Sequence, residues 1–328
     1  MAKIHGKWLK LEQHGTSPGA RSSHAIALID HKAYVFGGEF KPRVPVDNHL
    51  HVFDLHSLTW SIADASGDVP PPRIGVTMAA VGDTIYVFGG RDAEHKELDE
   101  LYAYNTRSSV WNQISGSGPP HRSYHSMTAD ERFVYVFGGC GVGGRLNDLA
   151  AFDTVARKWV EFPSAGEGCK GRGGPGLVVA AQKLWVVYGF AGQEMDDIHC
   201  FDPARSQWAQ VETKGEKPTA RSVFSSAVIG KYIFIYGGEI DPSDQGHLGA
   251  GMFSGEVYAL DTEMLEWTKC CDAAGSGQHP GPRGWCAFAA GNRDGAEGLL
   301  VYGGNSPSND RLDDIFFFTP QYDVNGKV

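Results

Sequence analysis

Short apolar segments that end at glycine recur along the whole chain. Within them apolar and polar residues alternate, as in His51-Val52-Phe53-Asp54 and Leu101-Tyr102-Ala103-Tyr104, and this period of two is typical of β-strands. The segments end at a glycine-containing pair: Gly37-Gly38, Gly89-Gly90, Gly138-Gly139, Tyr188-Gly189, Gly237-Gly238 and Gly303-Gly304. A spacing of roughly fifty residues between such marks indicates a repeat architecture.

Two further marks accompany the glycine pairs. An arginine opens the apolar segment before each pair, at Arg21, Arg73, Arg122, Arg172, Arg221 and Arg283. A lone tryptophan follows later in the repeat, at Trp60, Trp111, Trp159, Trp208 and Trp267. In the second repeat the pattern predicts four strands, at Val76–Val81, Thr84–Phe88, Leu101–Tyr104 and around Trp111. Each repeat is therefore predicted to form a four-stranded antiparallel blade.

The sixth tryptophan lies at the other end of the chain. No tryptophan follows the apolar run 315–318, whereas Trp8 lies in an N-terminal segment that resembles the Trp111 segment. A last blade completed by this N-terminal strand would close the ring and protect the sheet edges. The sequence thus predicts an all-β fold, a six-bladed propeller formed by a single domain over residues 1–328.

Composition narrows the functional classes. The formal net charge of -10 and the pI of about 5.7 argue against a nucleic-acid partner. No stretch approaches the roughly 18 apolar residues of a membrane span, and the N-terminus has no apolar leader, which predicts a cytoplasmic protein without membrane association. The six cysteines are scattered without a CxxC spacing, which predicts free thiols.

The opening arginines and the loops after the glycine pairs are expected to share one face. In an antiparallel blade the start of the first strand and the end of the second meet at one edge, so both sets would surround one mouth of the central channel. Such arginines either bond to loop carbonyls and carboxylates or bind an anion, and their recurrence favours the structural role. Arg91 falls outside the repeat, where the first and fifth repeats have Glu39 and Glu239. A ligand-binding role for it and an ion pair with Asp92 or Glu94 are both open.

The loop after the fifth glycine pair has the most distinctive chemistry. It runs from Glu239 to His247 and includes Asp241 and Asp244, so carboxylates and one imidazole lie within nine residues. Such donors suit a divalent first-row metal. An acidic loop that is simply solvated is the alternative, and composition alone favours it.

The repeat marks resemble kelch repeats, and several more specific runs resemble the plant specifier proteins, the nitrile-specifier, epithiospecifier and thiocyanate-forming proteins. The runs that carry this resemblance are Arg21-Ser22-Ser23-His24, Tyr86-Val87-Phe88-Gly89-Gly90-Arg91-Asp92, Trp185-Val186-Val187-Tyr188-Gly189-Phe190-Ala191, Lys217-Pro218-Thr219-Ala220-Arg221-Ser222-Val223-Phe224, Tyr258-Ala259-Leu260-Asp261-Thr262-Glu263 and Pro282-Arg283-Gly284-Trp285.

The resemblance implies an iron(II)-dependent, lyase-type reaction on glucosinolate aglucones, the thiohydroximate-O-sulfates that myrosinase releases. Nitriles or related products would form in place of isothiocyanates, in the context of plant defence. The family's iron ligands form a Glu-x-x-x-Asp-x-x-x-His pattern. Glu239 and His247 match its outer positions, whereas Ser243 occupies the middle position, so Asp244 is expected to be the third ligand, with Asp241 as the other nearby acid.

Two more residues receive roles from this resemblance. Arg91 is expected to hold the substrate's sulfate, and Trp285 is expected either to form a wall of the pocket or to pack between blades. The competing interpretations of the whole chain are a kelch propeller that acts as a protein-interaction module without catalysis, and a specifier homologue of weak or altered activity. Product type, side-chain preference, physiological substrate and oligomeric state remain open at this point.

Overall fold

Almost all regular secondary structure in the protein is β-strand. The computed structural model describes residues 3–114, 116–272 and 278–322. Six sheets make up the body of the molecule. We number the sheets as blades 1 to 6 and letter their strands a to d from the centre outwards.

Each blade has four antiparallel strands. In the order a to d, blade 1 consists of Ala25–Ile29, Lys32–Phe36, His51–Asp54 and Thr59–Ile62. Blade 2 consists of Thr77–Val81, Thr84–Phe88, Leu101–Asn105 and Val110–Ile114. Blade 3 consists of Ser126–Ala129, Phe133–Phe137, Leu149–Asp153 and Lys158–Glu161. Blade 4 consists of Gly176–Ala180, Lys183–Phe190, Glu194–Asp202 and Gln207–Gln210. Blade 5 consists of Ser225–Ile229, Tyr232–Tyr236, Val257–Asp261 and Glu266–Lys269. Blade 6 consists of Ala287–Arg293, Ala296–Asn305, Arg311–Tyr322 and Ile4–Lys10.

Short segments extend this framework. The two-residue strands His14–Gly15, Ser66–Gly67, Lys214–Gly215 and Cys271–Asp272 pair in parallel with an outer strand d. Small hairpins follow the glycine pairs of blades 1, 3 and 5, at Glu39–Lys41 with Val44–Pro45, Cys140–Gly141 with Gly144–Arg145, and Glu239–Asp241 with Met252–Phe253. A single-turn 3₁₀ helix covers Gly246–Leu248.

The N-terminal strand closes the ring, as predicted. Ile4–Lys10 pairs antiparallel with Arg311–Tyr322, and Trp8 is buried against Tyr236 and Phe318. The a strands of successive blades contact one another all the way round, including those of blades 6 and 1. The predicted six-bladed propeller is therefore confirmed.

The six opening arginines are structural. All are buried, and each Nη1 donates to a carbonyl of the glycine-containing pair in its own blade at 2.9–3.1 Å. Five of them also pair with a carboxylate: Asp47, Glu100, Asp148, Asp197 and Asp314. These contacts pair most of the N–H groups of the buried guanidiniums, whose burial would otherwise be costly; the Nε atoms of Arg21 and Arg283 have no partner among the described residues.

A closed circle of backbone hydrogen bonds lies at one mouth of the channel. The second residue after each opening arginine donates its N–H to the carbonyl of the corresponding residue in the neighbouring blade, at 2.8–3.0 Å. All six have φ between 48° and 58°, a left-handed conformation that is uncommon for residues other than glycine. We call these residues the mouth ring: Ser23, Gly75, Tyr124, Gly174, Val223 and Trp285.

Among the described residues, no helix is long and apolar enough to cross a membrane.

Candidate functional site

A cavity of about 350 Å³ lies above the mouth ring. Its floor is formed by ring residues and their neighbours, and its walls by the loops after the glycine pairs of blades 3 to 5. The lining residues are Tyr124, Cys140, Arg145, Gly173, Gly174, Phe190, Ser222, Val223, Glu239, Pro242, Ser243, Gly246, His247 and Trp285. A cavity of this volume accommodates a small molecule.

The long loop of blade 5 extends across this mouth. Its base is the hairpin after Gly237-Gly238, and its tip, residues 242–251, contacts two other blades. The His247 ring stacks on Tyr124 of blade 3, with centroids 5.0 Å apart and planes 14° apart. Asn309 of blade 6 donates from Nδ2 to the Leu248 carbonyl at 3.1 Å. The loop is thus held from both sides of the mouth.

Glu239 is a buried carboxyl at the base of this loop. Its backbone pairs with that of Ser222 in both directions, at 2.9 and 3.0 Å, which fixes the position of the residue. Burial raises the pKa of Glu239 to about 7, although backbone N–H groups of Gly251 and Ser243 bond to the carboxylate and oppose the rise. A negative charge here is therefore poorly solvated, and a cation would relieve that cost.

His247 supplies a neutral imidazole. Desolvation of the ring, followed by the positive charges of Arg91, Arg43 and Arg145, lowers the pKa of His247 below its usual range. The residue as a whole is exposed on the loop, but one ring face is covered by Tyr124. At neutral pH the imidazole is therefore neutral, and one of its two ring nitrogens is unprotonated and available as a metal ligand.

Asp244, the expected third ligand, does not join Glu239 and His247 in the cavity. Asp244 is exposed, whereas the neighbouring Ser243 lines the cavity and accepts a hydrogen bond from the Gln245 N–H at 3.1 Å. Within the described part of the chain, the compact groups of three metal-ligating side chains lie elsewhere, in blade 1. The role of Asp244 as a ligand stays a prediction.

Arg91 lies near the cavity but is already paired. Its guanidinium forms a hydrogen-bonded ion pair with Glu97, rather than with Asp92 or Glu94, and lies 5.8 Å from the Tyr124 ring centroid. Arg91 therefore forms an ion pair, as one of the two interpretations expected, but with a different partner. A β-bridge between Arg91 and Glu97 brings these two residues together. Its charge still contributes to the field at His247.

Trp285 forms part of the wall and of the mouth ring. Its indole packs edge-on against Phe253 at 5.5 Å and against His247 at 6.1 Å. The indole Nε1 is buried and has no hydrogen-bond partner among the described residues. Because buried donors are normally satisfied, this atom is suited to donate to a bound ligand.

Three residues that the sequence reasoning missed contribute to the site. Arg145 lines the cavity, stacks at 4.6 Å on Phe190, and forms no salt bridge to a described residue. The Tyr124 ring stacks on the His247 ring. Glu194 contacts a lining residue, because Ser222 Oγ donates to Glu194 Oε1 at 3.1 Å. The only sequence signal was for Arg145, which, like Arg91, is an arginine in a loop after a glycine pair.

The residues present fit a divalent iron ion in part. One carboxylate and one neutral imidazole line the same cavity, and both donor types suit Fe(II). The two side chains come from the two ends of one loop segment whose base and tip are separately anchored. At position 243, where a third carboxylate ligand would be expected, the chain has a serine, which has no carboxylate.

Comparisons with known proteins agree with this architecture. The family model described as the KLHDC2/KLHL20/DRC7 Kelch-repeats domain matches residues 23–238. A solved structure described as "Structure of YjhT" superposes with a TM-score of 0.75 at 15% identity, covering 94% of this chain and 99% of that one, which shows the fold alone. The fold and its buried arginines thus define a kelch-repeat β-propeller.

Curated relatives narrow the assignment. N-(sulfonatooxy)prop-2-enimidothioate sulfolyase of Thlaspi arvense is 43% identical, over 96% of this chain and 97% of that protein. Acyl-CoA-binding domain-containing protein 4 of Arabidopsis thaliana is 26% identical over 92% of this chain, which spans only 45% of that protein. The chain belongs to the kelch-repeat specifier proteins, the family that its sequence resembles.

Proposed function

We propose that this protein is an iron(II)-dependent specifier protein. It acts on glucosinolate aglucones released by myrosinase and directs them to nitriles or related products in place of isothiocyanates. One observation carries the proposal: Glu239 and His247 line a small-molecule cavity in a chain 43% identical to a sulfolyase.

The substrate class follows from the relative's name. An N-(sulfonatooxy) imidothioate carries a sulfate ester on nitrogen and a sulfur on the adjacent carbon, and a sulfolyase removes the sulfate. A site for such a molecule needs cationic and N–H donors for the sulfate and a place for the sulfur. In the cavity, Arg145 and the Trp285 Nε1–H are the donors available to the sulfate.

The residues of the chain have separable roles in this proposal. Arg145 binds the sulfate by charge-assisted hydrogen bonds, and Arg91 adds to the positive field from behind Tyr124. Trp285 and Phe190 exclude water from the substrate, which strengthens these electrostatic interactions. As the N–O bond breaks, charge grows on the departing sulfate, so donors placed there stabilise the transition state more than the substrate.

Glu239 and His247 would hold iron(II) at the loop side of the cavity. When bound, the ion supplies a Lewis acid with affinity for the substrate sulfur. The mouth ring and the anchored loop keep these two donors in place before the substrate arrives, which reduces the entropic cost of assembling the site.

The test is the product ratio from a glucosinolate treated with myrosinase and this protein, measured by gas chromatography. We expect added Fe(II) to raise the nitrile yield at the expense of isothiocyanate, and a chelator to abolish the rise. Glu239→Gln and His247→Ala should lose the effect while circular dichroism shows an intact β-fold. Asp244→Asn, on the same loop, tests whether Asp244 is the third iron ligand. Loss of the iron effect would identify it as a ligand, and an unchanged effect would identify it as an exposed neighbour of the site.

Two results would count against the proposal. If isothiocyanate remains the product at every iron concentration, this member of the family lacks specifier activity, and the interaction-module alternative becomes the leading one. If both Glu239→Gln and His247→Ala keep the full iron-dependent product shift, the metal site lies elsewhere.

A further inference from the structure

Blade 1 contains two groups of histidine and aspartate side chains that lie outside the cavity. In each group three potential metal-ligand atoms lie within 4.8 Å of one another. The first group is His31, Asp54 and His56, which we call the turn cluster; the second is Asp47, His49 and His51.

A fixed cation already occupies the second group. Asp47 Oδ2 accepts a hydrogen bond from Arg21 Nη2 at 2.9 Å and lies 3.3 Å from His51 Nε2. Arg21 is buried, and its Nη1 also donates to the Gly37 carbonyl at 2.9 Å. A metal ion would be repelled by its guanidinium, so this group serves the structural arginine.

No arginine or lysine in the described part of the chain forms a salt bridge with the turn cluster. Asp54 Oδ1 accepts the backbone N–H groups of His56 and Ser57, each at 2.9 Å, which leaves Oδ2 facing His31 Nε2 at 3.4 Å. The rings of His31 and His56 stack with centroids 4.4 Å apart and planes 5° apart. Both rings reach the surface, so a small rotation can direct two nitrogens and one oxygen to a common point.

Comparison with the other blades shows what is unusual here. In two of the other blades, 3 and 5, the acid at the end of strand c pairs with a cation that directly precedes strand b. In blade 3 Arg132 Nη2 lies 2.5 Å from Asp153 Oδ2, and in blade 5 Lys231 Nζ lies 2.9 Å from Asp261 Oδ2. In blade 1 the corresponding position is occupied by His31, an imidazole where blades 3 and 5 have Arg132 and Lys231.

We propose that the turn cluster is a binding site for a divalent transition-metal ion such as Zn(II). Two imidazoles and one carboxylate match the donors that Zn(II) prefers. The ion takes the electrostatic place that Arg132 and Lys231 hold in blades 3 and 5. It links the two turns at the face opposite the cavity, so the site is independent of the proposed specifier activity.

The test is isothermal titration of chelator-stripped protein with Zn(II). The variants are His56→Ala, which removes one ligand, and His31→Arg, which removes a ligand but installs the ion pair seen in blade 3. His49→Ala is the matched control from the neighbouring group. All are also measured with His247→Ala, so that binding in the cavity is counted separately.

We expect His56→Ala and His31→Arg each to weaken one Zn(II) site at least tenfold, and His49→Ala to leave it unchanged. Zn(II) should raise the melting temperature of the wild type but not that of His31→Arg, whose own ion pair keeps it folded. The proposal is overturned if the wild type has no such site, if His49→Ala removes it, or if both turn-cluster variants retain wild-type affinity.

Discussion

Replacing Arg145 with glutamine removes a positive charge that is in no salt bridge to a described residue, and leaves a shorter, neutral polar side chain at the cavity. Arg145 lines the cavity and stacks on Phe190 at 4.6 Å, whereas Arg91 is paired with Glu97. An anionic substrate should therefore depend on Arg145 directly.

The size of the effect follows from the setting of Arg145. Hydrogen bonds to charged groups contribute about 1.5–3 kcal/mol. Arg145 is an exposed residue, and solvent screening places the loss near the lower limit, about 1.5 kcal/mol. Since about 1.4 kcal/mol corresponds to a factor of ten, kcat/KM for sulfate release should fall about tenfold.

The assay is sulfate release from a myrosinase-generated aglucone across a range of salt concentrations. The wild-type kcat/KM should fall with salt more steeply than that of Arg145→Gln, because screening weakens the steering by this charge. Arg107→Gln is the control, since Arg107 is an exposed arginine paired with Asp83 at 2.6 Å on the opposite face. A value for Arg145→Gln within twofold of wild type, with the same salt dependence, would refute a role in anion binding.

Three further predictions concern stability. Trp8→Ala should lower the free energy of unfolding by about 3–5 kcal/mol, because Trp8 is buried in the closing strand; denaturant titration checks this, and a loss below about 1 kcal/mol would contradict it. Burial lowers the pKa of His24 to about 3, so the unfolded chain binds the proton more readily, and His24 alone should lower the free energy of unfolding by about 1.4 kcal/mol per pH unit as the pH drops from about 6.5 towards 3. Burial also lowers the pKa of His125, so His24→Gln should reduce the slope of stability against pH, measured by denaturant titration, without abolishing it. Gly174→Ala should destabilise by about 1–3 kcal/mol, because φ is 57° and a Cβ would lie 2.6 Å from Val223 Cγ1; Gly143→Ala, which has open space, is the control.

The fold was accessible from the sequence because its determinants are local and repeated. The four strands of blade 2 were predicted within a residue or two, and Trp8 identified the strand that closes the ring. The structural role of the opening arginines also followed from their recurrence, since a residue required in every blade is more readily explained by the scaffold than by one ligand.

The cavity was less accessible because it depends on contacts between distant loops. The sequence placed Glu239 and His247 in one loop, but the stacking of His247 on Tyr124 joins blades 5 and 3. The Glu97 partner of Arg91 and the position of Arg145 likewise depend on how loops fold back after the glycine pairs. Spacing along the chain gives no measure of such contacts.

The mouth ring has a consequence for how recognition can diversify. Every N–H of its six residues donates to a neighbouring blade, and every carbonyl accepts one such bond, so the ring presents no free backbone N–H to a ligand. Polar recognition must then come from side chains on the ring and from the loops above it. A propeller built this way can exchange one substrate for another by altering loops such as residues 242–251, while the hydrogen-bonded floor stays the same.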